Sequence, residues 1–65
     1  NLQNARSFLF AQEQSLLKVK DVFERMENLA IHATAPTTSN IERADYEIEY
    51  QSLSNELSDL ISFYS

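Results

Sequence analysis

One histidine, ten carboxylates and no cysteine bound the chemistry open to this chain. Histidine is the side-chain type that titrates near neutrality, so His32 is the one candidate general base. It stands near the end of a long periodic segment, where a protonated imidazole also suits a helix C-terminus, and a surface or capping histidine is the favoured reading of that place. Glu47 and Glu49 are two residues apart, which on a helix points them to different sides. They read as a solvated acidic face rather than an inward carboxylate pair. A metal would have to be held by His32 and carboxylates without any thiolate, a poor ligand set for zinc. The chain contains no glycine, so a phosphate-cradling loop is excluded. Glu-x-x-His, His-Glu-x-x-His and Gly-x-Ser-x-Gly are all missing from the sequence. The expectation is a chain that is not an enzyme and holds neither cofactor nor metal.

The elements that would carry these residues are marked by one interruption. Ala35-Pro36-Thr37-Thr38-Ser39-Asn40 is polar and contains the one proline. Proline cannot continue a helix and disfavours helix at the residue before it. Ser39 and Glu42 then have the spacing of a capping box, in which each side chain satisfies a backbone N–H near the other, and Thr38 or Asn40 are the alternative caps one residue either way.

Before the break, Leu2, Ala5, Leu9, Gln12, Leu16, Val19, Phe23, Met26, Ala30 and Ala33 follow a strict 3,4 spacing. Phe8, Val22 and Leu29 lie beside that stripe and widen it. A heptad seam with one broadened flank belongs to a helix packed on more than one neighbour. The spacing predicts a helix over 2–34, about 50 Å long. After the break, Tyr46, Tyr50, Leu53, Leu57, Leu60 and Tyr64 space as 4,3,4,3,4, which predicts a second helix over 40–63. The tyrosines fit the edge of a core, with hydroxyls reaching water. A short turn at 35–39 joins antiparallel neighbours. The fold class is therefore all-α: one antiparallel helical hairpin of two unequal, coiled-coil-like helices. The packing seam is expected at Leu9, Leu16, Val19, Phe23 and Met26 against Tyr46, Tyr50, Leu53, Leu57 and Leu60.

The unequal arms carry a functional hint. The second helix is expected to run back only to about position 10, leaving Leu2, Ala5, Phe8 and Leu9 without an intramolecular partner. Contiguous exposed apolar surface marks a contact. The core is thus expected to be completed by another copy or by helices of a larger parent. The chain begins at Asn1 and not at methionine, in keeping with a fragment or processed product.

Charge narrows the partner. The 65 residues carry a formal net charge of −5. Residues 1–33 are balanced, with Arg6, Lys18, Lys20 and Arg25 against Glu13, Asp21, Glu24 and Glu27. All of the excess lies after residue 33, where Arg43 faces Glu42, Asp45, Glu47, Glu49, Glu56 and Asp59. An acidic chain repels phosphate backbones, so no nucleic-acid partner is expected. The hydrophobic fraction of 43% is that of a folded protein. The longest apolar run, Phe8-Leu9-Phe10-Ala11, is far short of a membrane span, and no basic leader with an apolar stretch marks a cleaved signal peptide.

Two stretches are more specific than a generic hairpin. One is Asn4-Ala5-Arg6-Ser7-Phe8-Leu9 followed by Gln12-Glu13-Gln14-Ser15-Leu16. The other is Arg25-Met26-Glu27-Asn28-Leu29-Ala30-Ile31-His32-Ala33-Thr34, then the Thr/Ser-rich turn, then Asn55-Glu56-Leu57. In order and without a gap, these resemble the N-terminal helical region of bacterial flagellins, or of the related hook–filament junction protein. The chain departs from the family at Gln14, where glycine is usual, and at Ala35-Pro36, which replaces Asn-Gly. It departs also at Asn28 and His32, which replace glutamate and glutamine, and at Ser58-Asp59, where Asp-Arg is common.

The resemblance implies a structural subunit of the flagellar filament, assembled by helix–helix packing for motility. It implies an extracellular location, reached by export without a cleaved signal peptide. It also implies a partner for the open stripe: a long helix from the C-terminal region of the parent subunit. Arg25, Leu29 and Glu49 match family positions that contact toll-like receptor 5, while the changed neighbours Asn28 and His32 weigh against recognition and leave these residues as subunit-contact candidates. The alternative, drawn from the residues alone, is an independent helical-hairpin interaction module that dimerises or binds a partner helix as an adaptor or chaperone.

Overall fold

The computed structural model describes residues 1–63; Tyr64, expected to close the second seam, lies outside the described residues. Two helices form an antiparallel hairpin, α1 over Leu2–Ala33 and α2 over Asn40–Ser62. The body is rod-shaped, 56 × 17 × 13 Å. Residues 34 and 63, expected as the last helical positions, are instead the C-caps Thr34 and Phe63.

Local chemistry explains where each helix starts and stops. Neither glycine nor proline interrupts α1, and the Asn1 side chain accepts from the Asn4 N–H at 2.9 Å. At its far end the Thr34 hydroxyl donates to the carbonyl of Ala30 at 2.8 Å, and Pro36 forbids another turn. The Thr38 N–H donates to the Ala35 carbonyl at 3.1 Å, closing a turn with proline at its favoured second position. Ser39 is extended and opens α2 with a complete capping box. The Glu42 N–H donates to Ser39 Oγ at 3.1 Å, and the Ser39 N–H donates to Glu42 Oε1 at 3.2 Å.

The core is thin and sits in the turn-proximal two-thirds of the rod. Val22, Met26 and Leu53 are buried, with Leu29, Leu57 and Leu60 half-buried against them. Along α1 the covered row is Gln12, Ser15, Val19, Val22, Met26, Leu29 and Ala33, again with 3,4 spacing. This corrects the expected seam. Leu9, Leu16 and Phe23 are 61%, 60% and 54% exposed. The spacing rule allows either flank of the Gln12–Val19–Met26–Ala33 row, and α2 lies over the Ser15–Val22–Leu29 flank. On α2 the covered row is Tyr46, Leu53, Leu57 and Leu60, while Tyr50 stands at its edge and remains exposed. A single core in a chain of this size rarely supplies more than about 3–5 kcal/mol, and this one holds three buried side chains among the described residues.

Candidate functional site

The rotation of the seam leaves the larger apolar residues of α1 outside. Leu16, Val19, Phe23, Met26 and Ala30 line one wall of a groove, and Tyr50 of α2 lines the other. Lys20, Glu24 and Glu27 form its charged rim. A second concavity, bounded by Leu29, Ala33, Arg43, Tyr46 and Glu47, shares Ala30 and Tyr50 with the first. The two therefore form one trough that runs along the hairpin toward the turn. Its floor is the edge of the Val19–Met26 row, and Leu16 and Phe23 rise beside it at heptad spacing. Such a surface takes an amphipathic helix, whose apolar side chains would cover Leu16, Phe23 and Tyr50.

The opposite flank of the seam is polar. Arg25, Asn28, Leu29, His32, Glu49 and Leu53 line one shallow pocket there. The three positions matched by the resemblance, Arg25, Leu29 and Glu49, are thus brought together across the two helices, with the divergent Asn28 and His32 between them. Arg25 pairs along its own helix with Asp21 at 3.9 Å, as Lys20 does with Glu24, and both pairs are solvent-exposed. Exposed pairs of this kind contribute a few tenths of a kcal/mol.

His32 is tied to the fold. Its ring stacks on Tyr46, with centroids 5.9 Å apart and planes 24° from parallel. Its carbonyl accepts from the Thr38 hydroxyl and from the Ala35 N–H. Glu42 is the carboxyl held below its ordinary range, first by the hydrogen bond from the Ser39 side chain and then by that from the Ser39 backbone. That arrangement is a helix cap. Among the described residues no three His, Cys, Asp or Glu side chains gather as a metal site, and no helix is long and apolar enough to cross a membrane.

Two features escaped the sequence reading. One is Arg43, which closes the C-terminus of α1 from the start of α2. Its Nε donates to the Ala33 carbonyl at 2.9 Å, one terminal nitrogen to Asn40 Oδ1 at 2.9 Å and the other to the Thr38 carbonyl at 3.3 Å. The signal was its isolation as the one cation of the acidic half. The other is a second exposed row on α1, Phe10, Leu17 and Ile31, marked by recurrence at multiples of seven. Comparison of the chain with protein-family models, with curated proteins and with solved structures finds no match.

Proposed function

We propose that this hairpin is a structural piece of a flagellin-like filament subunit, which works by packing its helices against others and not by catalysis. The observation that carries the reading is the open trough along Leu16, Phe23, Ala30 and Tyr50. A chain that exposes Phe23, Leu16 and Leu9 beside so thin a core is built to be covered. The ordered motifs from Asn4 to Leu57 resemble the family, and that resemblance implies the cover: a long helix from the C-terminal region of the same subunit. In that setting the protein belongs to the extracellular flagellum and is exported without a cleaved signal. The Arg25–Leu29–Glu49 face lies on the other flank of the seam and is left free for contacts between subunits.

Sedimentation equilibrium tests this directly. The hairpin is mixed with the C-terminal helical segment of its parent. A defined complex of the two, lost when Phe23 is replaced by aspartate, supports the assignment. A hairpin that ignores that segment at all concentrations overturns it.

A further inference from the structure

Beyond the filament reading, and for the chain without the C-terminal helix that would compete for the same trough, we propose that this chain pairs with a second copy of itself, α1 antiparallel to α1, about a two-fold axis passing between Leu16 and Leu17. In this pairing the N-terminal half of each α1 fills the trough of the other.

The charges beside the trough set the register. Arg6, Glu13, Lys20 and Glu27 recur every seven residues, so they lie in one row along α1, and all four are exposed. Their signs alternate. On a helix of 3.6 residues per turn this row borders the Leu9–Leu16–Phe23–Ala30 stripe, on the side away from α2. Antiparallel pairing about the Leu16–Leu17 axis brings Arg6 opposite the partner's Glu27 and Glu13 opposite the partner's Lys20. Each contact occurs twice by symmetry, and every one is attractive. In a parallel pairing in register the same row lies on opposite sides of the two-helix interface and makes none of these contacts.

The apolar surfaces agree with the same register. It places Leu16 against Leu16 at the axis and Leu9 beside the partner's Phe23. Residues 2–16 of one copy then run along the partner's trough from Leu16 to Ala33. This is the half of α1 that its own α2 covers least: Leu2, Phe8 and Leu9 are 67%, 63% and 61% exposed. Seen down the rod, a helix laid in the trough sits about 70° around α1 from α2, close to the arrangement of a three-helix bundle.

The acidic excess is also accommodated. Glu42, Asp45, Glu47 and Glu49 lie in the turn-proximal half of α2, and an antiparallel pairing sends the two turns to opposite ends. The parts of α2 that approach near the axis present Ser54, Leu57, Ser58 and Ile61, a surface with no charged residue. Repulsion between the two acidic segments is thereby kept beyond a Debye length.

The test is sedimentation equilibrium of the 65-residue chain with charge-reversed variants. Wild type is expected to show a monomer–dimer equilibrium. Lys20→Glu opposes like charges twice per dimer and should weaken association roughly tenfold. Glu13→Lys in the same chain should restore it, which separates pairing from any effect on folding. A chain that stays monomeric overturns the proposal, as does a dimer indifferent to Lys20→Glu or one that the double change fails to restore. Direction is checked by mixing Arg6→Cys with Glu27→Cys chains under oxidising exchange. The mixed disulfide should dominate, and a predominance of the two like-with-like disulfides would refute the antiparallel register.

Discussion

Arg43 Nε donates to the backbone carbonyl of Ala33 at 2.9 Å, so the first turn of α2 completes the last turn of α1. The contact bridges ten residues and spans the whole connection. A guanidinium at a helix C-terminus meets the negative end of the dipole and satisfies a carbonyl with no partner inside the helix. Its other nitrogens hold Asn40 and Thr38, which fixes the turn from both sides. Arg43 is therefore spent on structure, and the acidic second half presents no cation that is free of such duty among its described residues.

Arg43→Ala should lower stability by about 1 kcal/mol, the net worth of exposed hydrogen bonds plus the dipole term. Arg43→Lys should recover only part of it, because an ammonium cannot span Ala33, Asn40 and Thr38 in one plane. Urea titration followed by far-UV circular dichroism reads both. A lysine variant as stable as wild type would show that charge alone matters at this cap.

Leu53 and Leu16 make opposite predictions although both stand at heptad spacing. Leu53 is 6% exposed and Leu16 is 60% exposed. Leu53→Asp buries an unpaired carboxylate between α1 and α2, at a cost of several kcal/mol, and should abolish the folded hairpin at any concentration. Leu16→Asp acts on association. Its thermal midpoint should equal that of wild type at the lowest concentration and should not rise with concentration as wild type does. Melting curves over a wide range of protein concentration separate the two. Loss of the dilute hairpin by Leu16→Asp would return Leu16 to the internal seam.

His32 and Tyr46 offer a third test, since their stacked rings link the two helices beside the turn. A double-mutant cycle with His32→Ala and Tyr46→Ala should give a coupling of about 0.5–1 kcal/mol. Truncating Tyr46 alone also removes part of the half-buried row, so the single change should cost more than His32→Ala. Strict additivity of the two changes would mean that the stack contributes nothing beyond burial.

The same residues show what could be read from the sequence and what could not. The break at Pro36, the capping box of Ser39 and Glu42 to within one residue, and the α2 row of Tyr46, Leu53, Leu57 and Leu60, though not its expected member Tyr50, follow from local rules. Helix α1 allows two solutions. Its Gln12–Val19–Met26–Ala33 row can pair with the flank at Ser15, Val22 and Leu29 or with that at Leu16, Phe23 and Ala30. Spacing weighs hydrophobicity and favours the second, which holds the larger side chains. The neighbour that decides is α2, and it takes the first. The larger side chains therefore stay exposed on the flank that α2 leaves open, and periodicity by itself has no means to say which flank that is. Arg43 was hidden for a related reason: its partner is a backbone carbonyl, which has no signature in a sequence.

The capping box gives the last prediction, through pH. Ser39→Ala removes the acceptor for the Glu42 N–H and should cost about 1 kcal/mol at neutral pH. Glu42 has its pKa lowered in the folded chain by the Ser39 side chain and backbone. A carboxyl shifted in that direction stabilises the fold fully above its unfolded pKa, near ~4.3 for glutamate. That contribution fades as pH falls through the lower, folded value, where the carboxylate takes up a proton. Stability should therefore decline below about pH 4 partly on account of Glu42. Glu42→Gln keeps a side-chain acceptor for the Ser39 N–H but cannot titrate, so its acid limb should be shallower than that of wild type. Urea midpoints measured between about pH 2 and 6 decide the matter. Identical acid limbs for the two chains would mean that the charge on Glu42 adds nothing to the cap.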